Sequence, residues 1–170
     1  DSGAYVVDTD QIVHQLIEKN KEIQKKIIDL LGSQIVCDKK ISRAKIAEIV
    51  FNNFSKLNQL EKILHPHVRE EVNKIYTKIS KEKKWNLFVV EIPLLFETKF
   101  NADYEVTLAV NRPLKNSMES FKDPQTFLKR SQRQWSGDEK AAKADYVLNN
   151  TGSLEELKKA FQKIYSQITL

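Results

Sequence analysis

Cys37 is the only cysteine among the 170 residues, so no disulfide can form within the chain and a reducing compartment fits it. The residue reads as a small buried or boundary side chain. Only Lys39 and Lys40 stand near enough in sequence to favour a thiolate. The four glycines, Gly3, Gly32, Gly137 and Gly152, are each isolated. No glycine-rich run that wraps a phosphate with backbone N–H groups is therefore present. No apolar run reaches membrane-spanning length, and residues 87–90 are only strand-sized, so a membrane role is not expected. A dense basic stripe with interleaved aromatics is also lacking, which argues against a nucleic-acid module. The opening residues Asp1-Ser2-Gly3 carry no initiator Met and no secretory signal, and lead almost at once into a strand-like run. We therefore expect a fragment with something missing upstream.

What is present is ordinary for a globular chain: 41% apolar and 30% charged residues. The 28 Lys and Arg against 23 Asp and Glu give +5, which suits a polyanionic small molecule as well as it suits nucleic acid. The lysines are scattered at helical spacing and read as solvated faces. Ala4, Tyr5, Val6 and Val7 form a β-prone run ending in Asp8-Thr9-Asp10. Helical spacing follows through Ile12, Val13, Leu16 and Ile17, continues from Ile23 to Leu31, and stops at Gly32. Ser42 caps a helix bearing Ile46, Ile49 and Val50. Leu57, Leu60, Ile63 and Leu64 form another, and Pro66 suits the first turn of a separate long helix with Val68, Val72, Ile75 and Ile79. Strands are expected at 87–92, 104–110 and 145–148, and capping boxes at Ser136 and Ser153 open two further helices.

Short buried strands alternating with helices imply an α/β domain with a parallel sheet covered on both faces. The stretch between the first two strands is too long and too helical for a simple crossover, and reads as a helical insertion. In open α/β sheets, ligands bind beyond the carboxyl ends of the strands. Asp8 and Asp10 lie at such an end, where two carboxylates can orient a hydroxyl, accept its proton or hold Mg²⁺, or simply cap the next helix.

An ordered set of short motifs spans residues 3 to about 157: Asp8-Thr9-Asp10, Ile41-Ser42-Arg43 with Phe51, Leu64-His65-Pro66, Ile92-Pro93-Leu94-Leu95-Phe96-Glu97, Gln134, Glu139-Lys140, Ala144-Asp145 and Asn150-Thr151-Gly152. Each is weak alone. In this order and spacing they resemble the dephospho-coenzyme A kinase family. The resemblance implies a three-layer α/β/α P-loop kinase fold with a parallel sheet. It implies a single domain over 1–170, a helical substrate-binding region over 11–84 and a lid over 112–135. It implies transfer of the γ-phosphoryl of ATP to the ribose 3′-hydroxyl of dephospho-coenzyme A, the last step of coenzyme A synthesis, with Mg²⁺. By motif match, Asp10 is the catalytic carboxylate and Asp8 its support, or a contact to Mg²⁺ through water. Arg43, His65, Pro93, Leu94 and Leu95 would meet the substrate, Arg130 the ATP, and Glu91 the metal. Arg43 also reads as a surface ion-pair residue, His65 as a helix-terminal residue held by backbone, and one of the leucines as core. The expected protein is cytoplasmic, a monomer or weak homo-oligomer, acting on a small molecule.

The sequence departs from the family in two places. The Gly-x-x-x-x-Gly-Lys-[Ser/Thr] loop is absent; in the family it precedes the Asp-x-Asp strand, so truncation is the expected cause, and these 170 residues alone are expected to be inactive. The lid segment has no arginine between Arg112 and Arg130; either residues are missing from this segment too, or Lys115, Lys122 and Arg130 carry its charge. Two rival readings are a non-catalytic coenzyme A- or nucleotide-binding homologue and a related nucleoside or nucleotide kinase.

Overall fold

The computed structural model describes residues 3–113 and 134–169. The chain divides into two compact units, Asp1–Ile92 and Pro93–Leu170.

In the first unit, strand β1 (Ala4–Asp8) pairs in parallel with β4 (Leu87–Glu91), in a register that sets Asp8 level with Glu91. Between them run α1 (Thr9–Lys19), α2 (Lys21–Leu31), a 3₁₀ turn (Ser33–Ile35), the hairpin β2–β3 (Val36–Cys37, Lys40–Ile41), α3 (Arg43–Phe51) and α4 (Phe54–Lys81). Ile23, Ile27, Leu31 and Ile35 are fully buried at the centre of the helical core, where α4 packs against α1, α2 and α3. One face of the strand pair joins this core through Val7, while Val6 and Val89, partners in the register, stay 61% and 39% exposed. Tyr5 stacks on its register partner Phe88, ring centroids 6.0 Å apart, at the end of the pair remote from Asp8.

Asn20 interrupts the helical run between Leu16 and Ile23. Its backbone N–H closes α1 on the carbonyl of Leu16, and its side chain accepts from the N–H groups of Glu22 and Ile23, opening α2. Gln24 Nε2 donates to the carbonyls of Ile17 and Glu18, which the end of α1 leaves open.

Two expectations change here. Pro66 does not open a helix; it lies inside the 28-residue α4, about 42 Å long at the usual rise. An interior proline costs about 3 kcal/mol. Leu57, Leu60, Leu64, Val68, Val72 and Ile79 are buried along one stripe of that helix. Each contributes about 1.5–3 kcal/mol, so the stripe outweighs the proline. The β2–β3 hairpin was not expected at all. Its two-residue turn, Asp38 and Lys39, has φ of 48° and 63° without a glycine, a left-handed pair that costs about 1–2 kcal/mol per residue.

In the second unit, β5 (Leu108–Asn111) pairs in parallel with β6 (Tyr146–Asn149). The helices α5 (Gly137–Ala141) and α6 (Leu154–Ile168) open on the expected capping boxes, Ser136 with Glu139 and Ser153 with Glu156. The strand expected over 104–110 begins only at Leu108, preceded by a 3₁₀ turn (Phe100–Asp103). The pairing starts at a side-chain lock. The Asp145 carboxylate accepts from both the N–H (2.8 Å) and the hydroxyl (2.7 Å) of Thr107, and the N–H of Asp145 donates to that hydroxyl.

Those bonds hold the Asp145 carboxyl below its ordinary value of 3.8. A depressed carboxylate stabilises the fold fully above its unfolded value and loses that contribution as pH falls through the folded one. Thr107→Val is therefore expected to lower the melting temperature at pH 7 and to have a smaller effect near pH 3. Melting curves at the two pH values check this; an equal loss at both contradicts it.

Candidate active site

β1 ends where α1 begins, and Asp8 serves both elements. Its Oδ1 accepts from the N–H groups of Asp10 (2.8 Å) and Gln11 (3.3 Å), capping the helix. Asp10 lies in the first turn and is exposed. The two aspartates thus have different roles. Asp8 is engaged in holding the turn, and Asp10 presents its carboxylate outward. Thr9, only 7% exposed, donates its hydroxyl to the carbonyl of Glu91 at 2.8 Å. This bond ties the carboxyl ends of β1 and β4 together and adds to the register that sets Glu91 beside Asp8. Glu91 itself is exposed. Of the sequence-derived candidates, the structure sets Asp8 and Glu91 side by side at the ends of paired strands, and Asp10 follows in the first turn of α1. Thr9 received no role from sequence, because the carbonyl it bonds belongs to a residue on a distant strand.

Arg43 is the first residue of α3, exposed, just after the Ser42 cap. His65 is half-buried near the middle of α4, one residue before the interior proline, so it is not the helix-terminal residue that its sequence context also allowed. Both lie on helices of the first unit, in which α3 packs on α4. Pro93, Leu94 and Leu95 begin the second unit on a tight loop; Pro93 is exposed and the two leucines are half-buried. The loop's carbonyls are satisfied in series. Leu94 accepts from the N–H (3.1 Å) and the hydroxyl (2.6 Å) of Thr98, Leu95 from the N–H of Phe100 (3.0 Å), and Phe96 from that of Lys99 (3.1 Å). Arg130, and nearly all of the lid expected over 112–135, lie outside the described residues.

Among the described residues no group of three or more His, Cys, Asp or Glu side chains is placed to hold a metal ion by itself. The Asp8–Glu91 strand end supplies two carboxylate residues side by side. Mg²⁺ bound beside substrate phosphates takes one or two carboxylates and keeps several waters, so this donor set fits it.

The sequence matches the family model for dephospho-CoA kinase over residues 1–156. A dephospho-CoA kinase of Protochlamydia amoebophila is 36% identical, with 99% of this chain and 86% of that protein covered. One from Chlamydia caviae is 34% identical, covering 97% and 84%, and one from Aquifex aeolicus 31% identical, covering 98% and 86%. Among solved structures, a crystal structure of a Thermus thermophilus protein superposes with a TM-score of 0.77 at 29% identity, covering 99% of this chain and 86% of that one. The dephospho-CoA kinase from Campylobacter jejuni gives 0.69 at 29% identity, covering 98% and 86%. A fold of parallel strands and helices and a match that runs through nearly the whole chain lead to one assignment: the chain belongs to the dephospho-CoA kinase family.

Proposed function

We propose that this chain moves the γ-phosphoryl of ATP to the ribose 3′-hydroxyl of dephospho-coenzyme A, completing coenzyme A, with the carboxylates at its paired strand ends serving the acceptor hydroxyl and the metal. The observation that carries the reading is the strand-end arrangement: a capped turn that presents Asp10, with Glu91 held level beside Asp8. The relatives at 31–36% identity are dephospho-CoA kinases, which favours this reading over both a nucleoside kinase and a binding homologue without catalysis.

Asp10 orients the 3′-hydroxyl and takes its proton. The 3′-oxygen forms the new bond to the γ-phosphorus as the bond from that phosphorus to the β,γ-bridging oxygen breaks, and the electron pair leaves on ADP. Transfer of this kind rests on positioning and charge stabilisation more than on covalent chemistry, so the rigidity of the Asp8 cap matters as much as the base. Asp8 fixes the backbone at Asp10, and Thr9 fixes Glu91. Bound Mg²⁺ would neutralise the phosphate charge, with Glu91 holding it and Asp8 reaching its water shell. Arg43 and His65, on the helical region 11–84, contact the substrate, with Arg43 pairing with phosphate. Leu94 and Leu95 line the cleft wall, and Arg130, in the lid segment 112–135, serves ATP. We place the protein in the cytoplasm as a monomer or weak homo-oligomer working on small molecules; no helix among the described residues is long and apolar enough to cross a membrane.

The test is ADP release by the protein expressed from its whole reading frame. It is expected to require dephospho-coenzyme A and to fall to background in EDTA. Glu91→Gln is expected to raise the Mg²⁺ concentration for half-maximal rate by about tenfold, the usual scale for loss of one group supporting a metal site. An unchanged Mg²⁺ requirement would remove Glu91 from the site.

A further inference from the structure

The carbonyls of Leu94, Leu95 and Phe96 are all held by groups within five residues along the chain. The carbonyl of Pro93 is held differently. It accepts from Lys140 Nζ at 2.8 Å, a side chain 47 residues away on α5 in the same unit. The same ammonium pairs with Glu97 Oε1 at 3.2 Å, at the other end of the loop. Glu97 Oε1 also accepts from the backbone N–H of Trp135 at 2.8 Å, just ahead of α5. The rings of Phe96 and Trp135 stack at 6.1 Å and 9° between planes. One cation and one carboxylate therefore clamp both ends of the loop that presents Leu94 and Leu95. Both are mostly withdrawn from water, their side chains 22% and 11% exposed.

This arrangement is costly for a packing device. Glu97 Oε2 is buried with no hydrogen-bond partner among the described residues. A partly buried ion pair with an orphaned oxygen contributes less to stability than an apolar pair of the same volume. It does supply fixed geometry, because an ammonium that bridges a carbonyl and a carboxylate sets the distance between them.

We propose that Lys140 and Glu97 are positioning residues for substrate recognition: they hold the Pro93–Leu95 loop in the shape that receives dephospho-coenzyme A, without touching it. The proposal rests on the reading that this loop lines the substrate cleft. Neither residue takes part in the chemistry, so their loss falls on one substrate and not on turnover.

The experiment is steady-state kinetics of the protein from its whole reading frame. Lys140→Met is expected to raise KM for dephospho-coenzyme A about tenfold, within the range that displacement of a positioning group costs, and to leave kcat and KM for ATP within about twofold. Lys140→Arg, which keeps a charged donor able to reach Pro93 and Glu97, is expected to restore most of that loss. Glu97→Gln keeps shape and the acceptor for Trp135 but removes the charge; it should raise the same KM about threefold, and it carries the test if Lys140→Met does not fold. Leu94→Ala separates this proposal from the reading beneath it. If Leu94→Ala raises KM for dephospho-coenzyme A while Lys140→Met and Glu97→Gln do not, the positioning role is wrong and the loop reading stands. If none of the three moves that KM, the loop is not part of the cleft and both fall. A purely structural pair would instead lower kcat through loss of active enzyme, with every KM unchanged, and that result also overturns the proposal.

Discussion

Asp10→Asn is expected to lower kcat for phosphoryl transfer by about 10³-fold, inside the range that a positioned proton acceptor contributes. The substitution keeps size and polarity and removes the negative charge and the basic oxygen. It should not disturb the fold, because the side chain that caps α1 belongs to Asp8 and not to Asp10. The melting temperature is expected to stay within about 2 °C of the parent, as for an exposed substitution away from packing and caps. KM for ATP should change little, since the role proposed for Asp10 is toward the acceptor hydroxyl. Asp8→Ala makes the contrast. It removes an N-cap, costs about 1 kcal/mol of stability, and releases the backbone on which Asp10 is mounted. Its activity loss should come with a stability loss, whereas that of Asp10→Asn should not. Near-normal turnover in a folded Asp10→Asn protein would move the proton acceptor elsewhere.

The second large effect falls on stability. Ile27→Ala is expected to cost about 3 kcal/mol, within the roughly 2–5 kcal/mol usual for isoleucine truncation in a packed core. Ile27 is fully buried on α2, among Ile23, Leu31 and Ile35. α2 packs on the long helix α4, so a cavity there cannot close without moving the element that carries His65. For a chain of this size the loss corresponds to a fall of about 6–12 °C in melting temperature. Thermal denaturation by circular dichroism measures it, and a cost below about 1 kcal/mol would show that the helical core is looser than its burial implies. Dephospho-coenzyme A affinity should weaken too, although Ile27 is itself buried within the core and exposes nothing to a ligand.

The sequence is most legible where its signals are local. The apolar run from Ala4 ending at Asp8, the glycine after Leu31 and the two Ser-x-x-Glu boxes each name their element within a few residues. It misleads where distant residues decide. Pro66 looks like a helix start until the buried stripe on both sides of it is seen as one surface. The β2–β3 hairpin is hidden because Asp38 and Lys39 take positive φ without the glycine that usually marks such a turn. The late start of β5 is set by Asp145, 38 residues from Thr107.

The candidate site shows the same division. Asp8, Asp10 and Glu91 were readable as chemistry-bearing residues at strand ends, a place that topology reserves for ligands. The separate roles of the two aspartates were not, since capping depends on where a carboxylate oxygen points. The hydroxyl bond from Thr9 to Glu91 and the clamp of Lys140 and Glu97 were equally hidden, because each joins residues far apart in sequence.

The most direct measurement of the central claim is the position of the transferred phosphate. The protein from its whole reading frame would be incubated with ATP and dephospho-coenzyme A, and the product analysed by phosphorus and proton NMR. One phosphate on the ribose 3′-oxygen, giving coenzyme A and an equal amount of ADP, is the predicted result. Phosphate on any other atom, or ADP release indifferent to dephospho-coenzyme A, would contradict it.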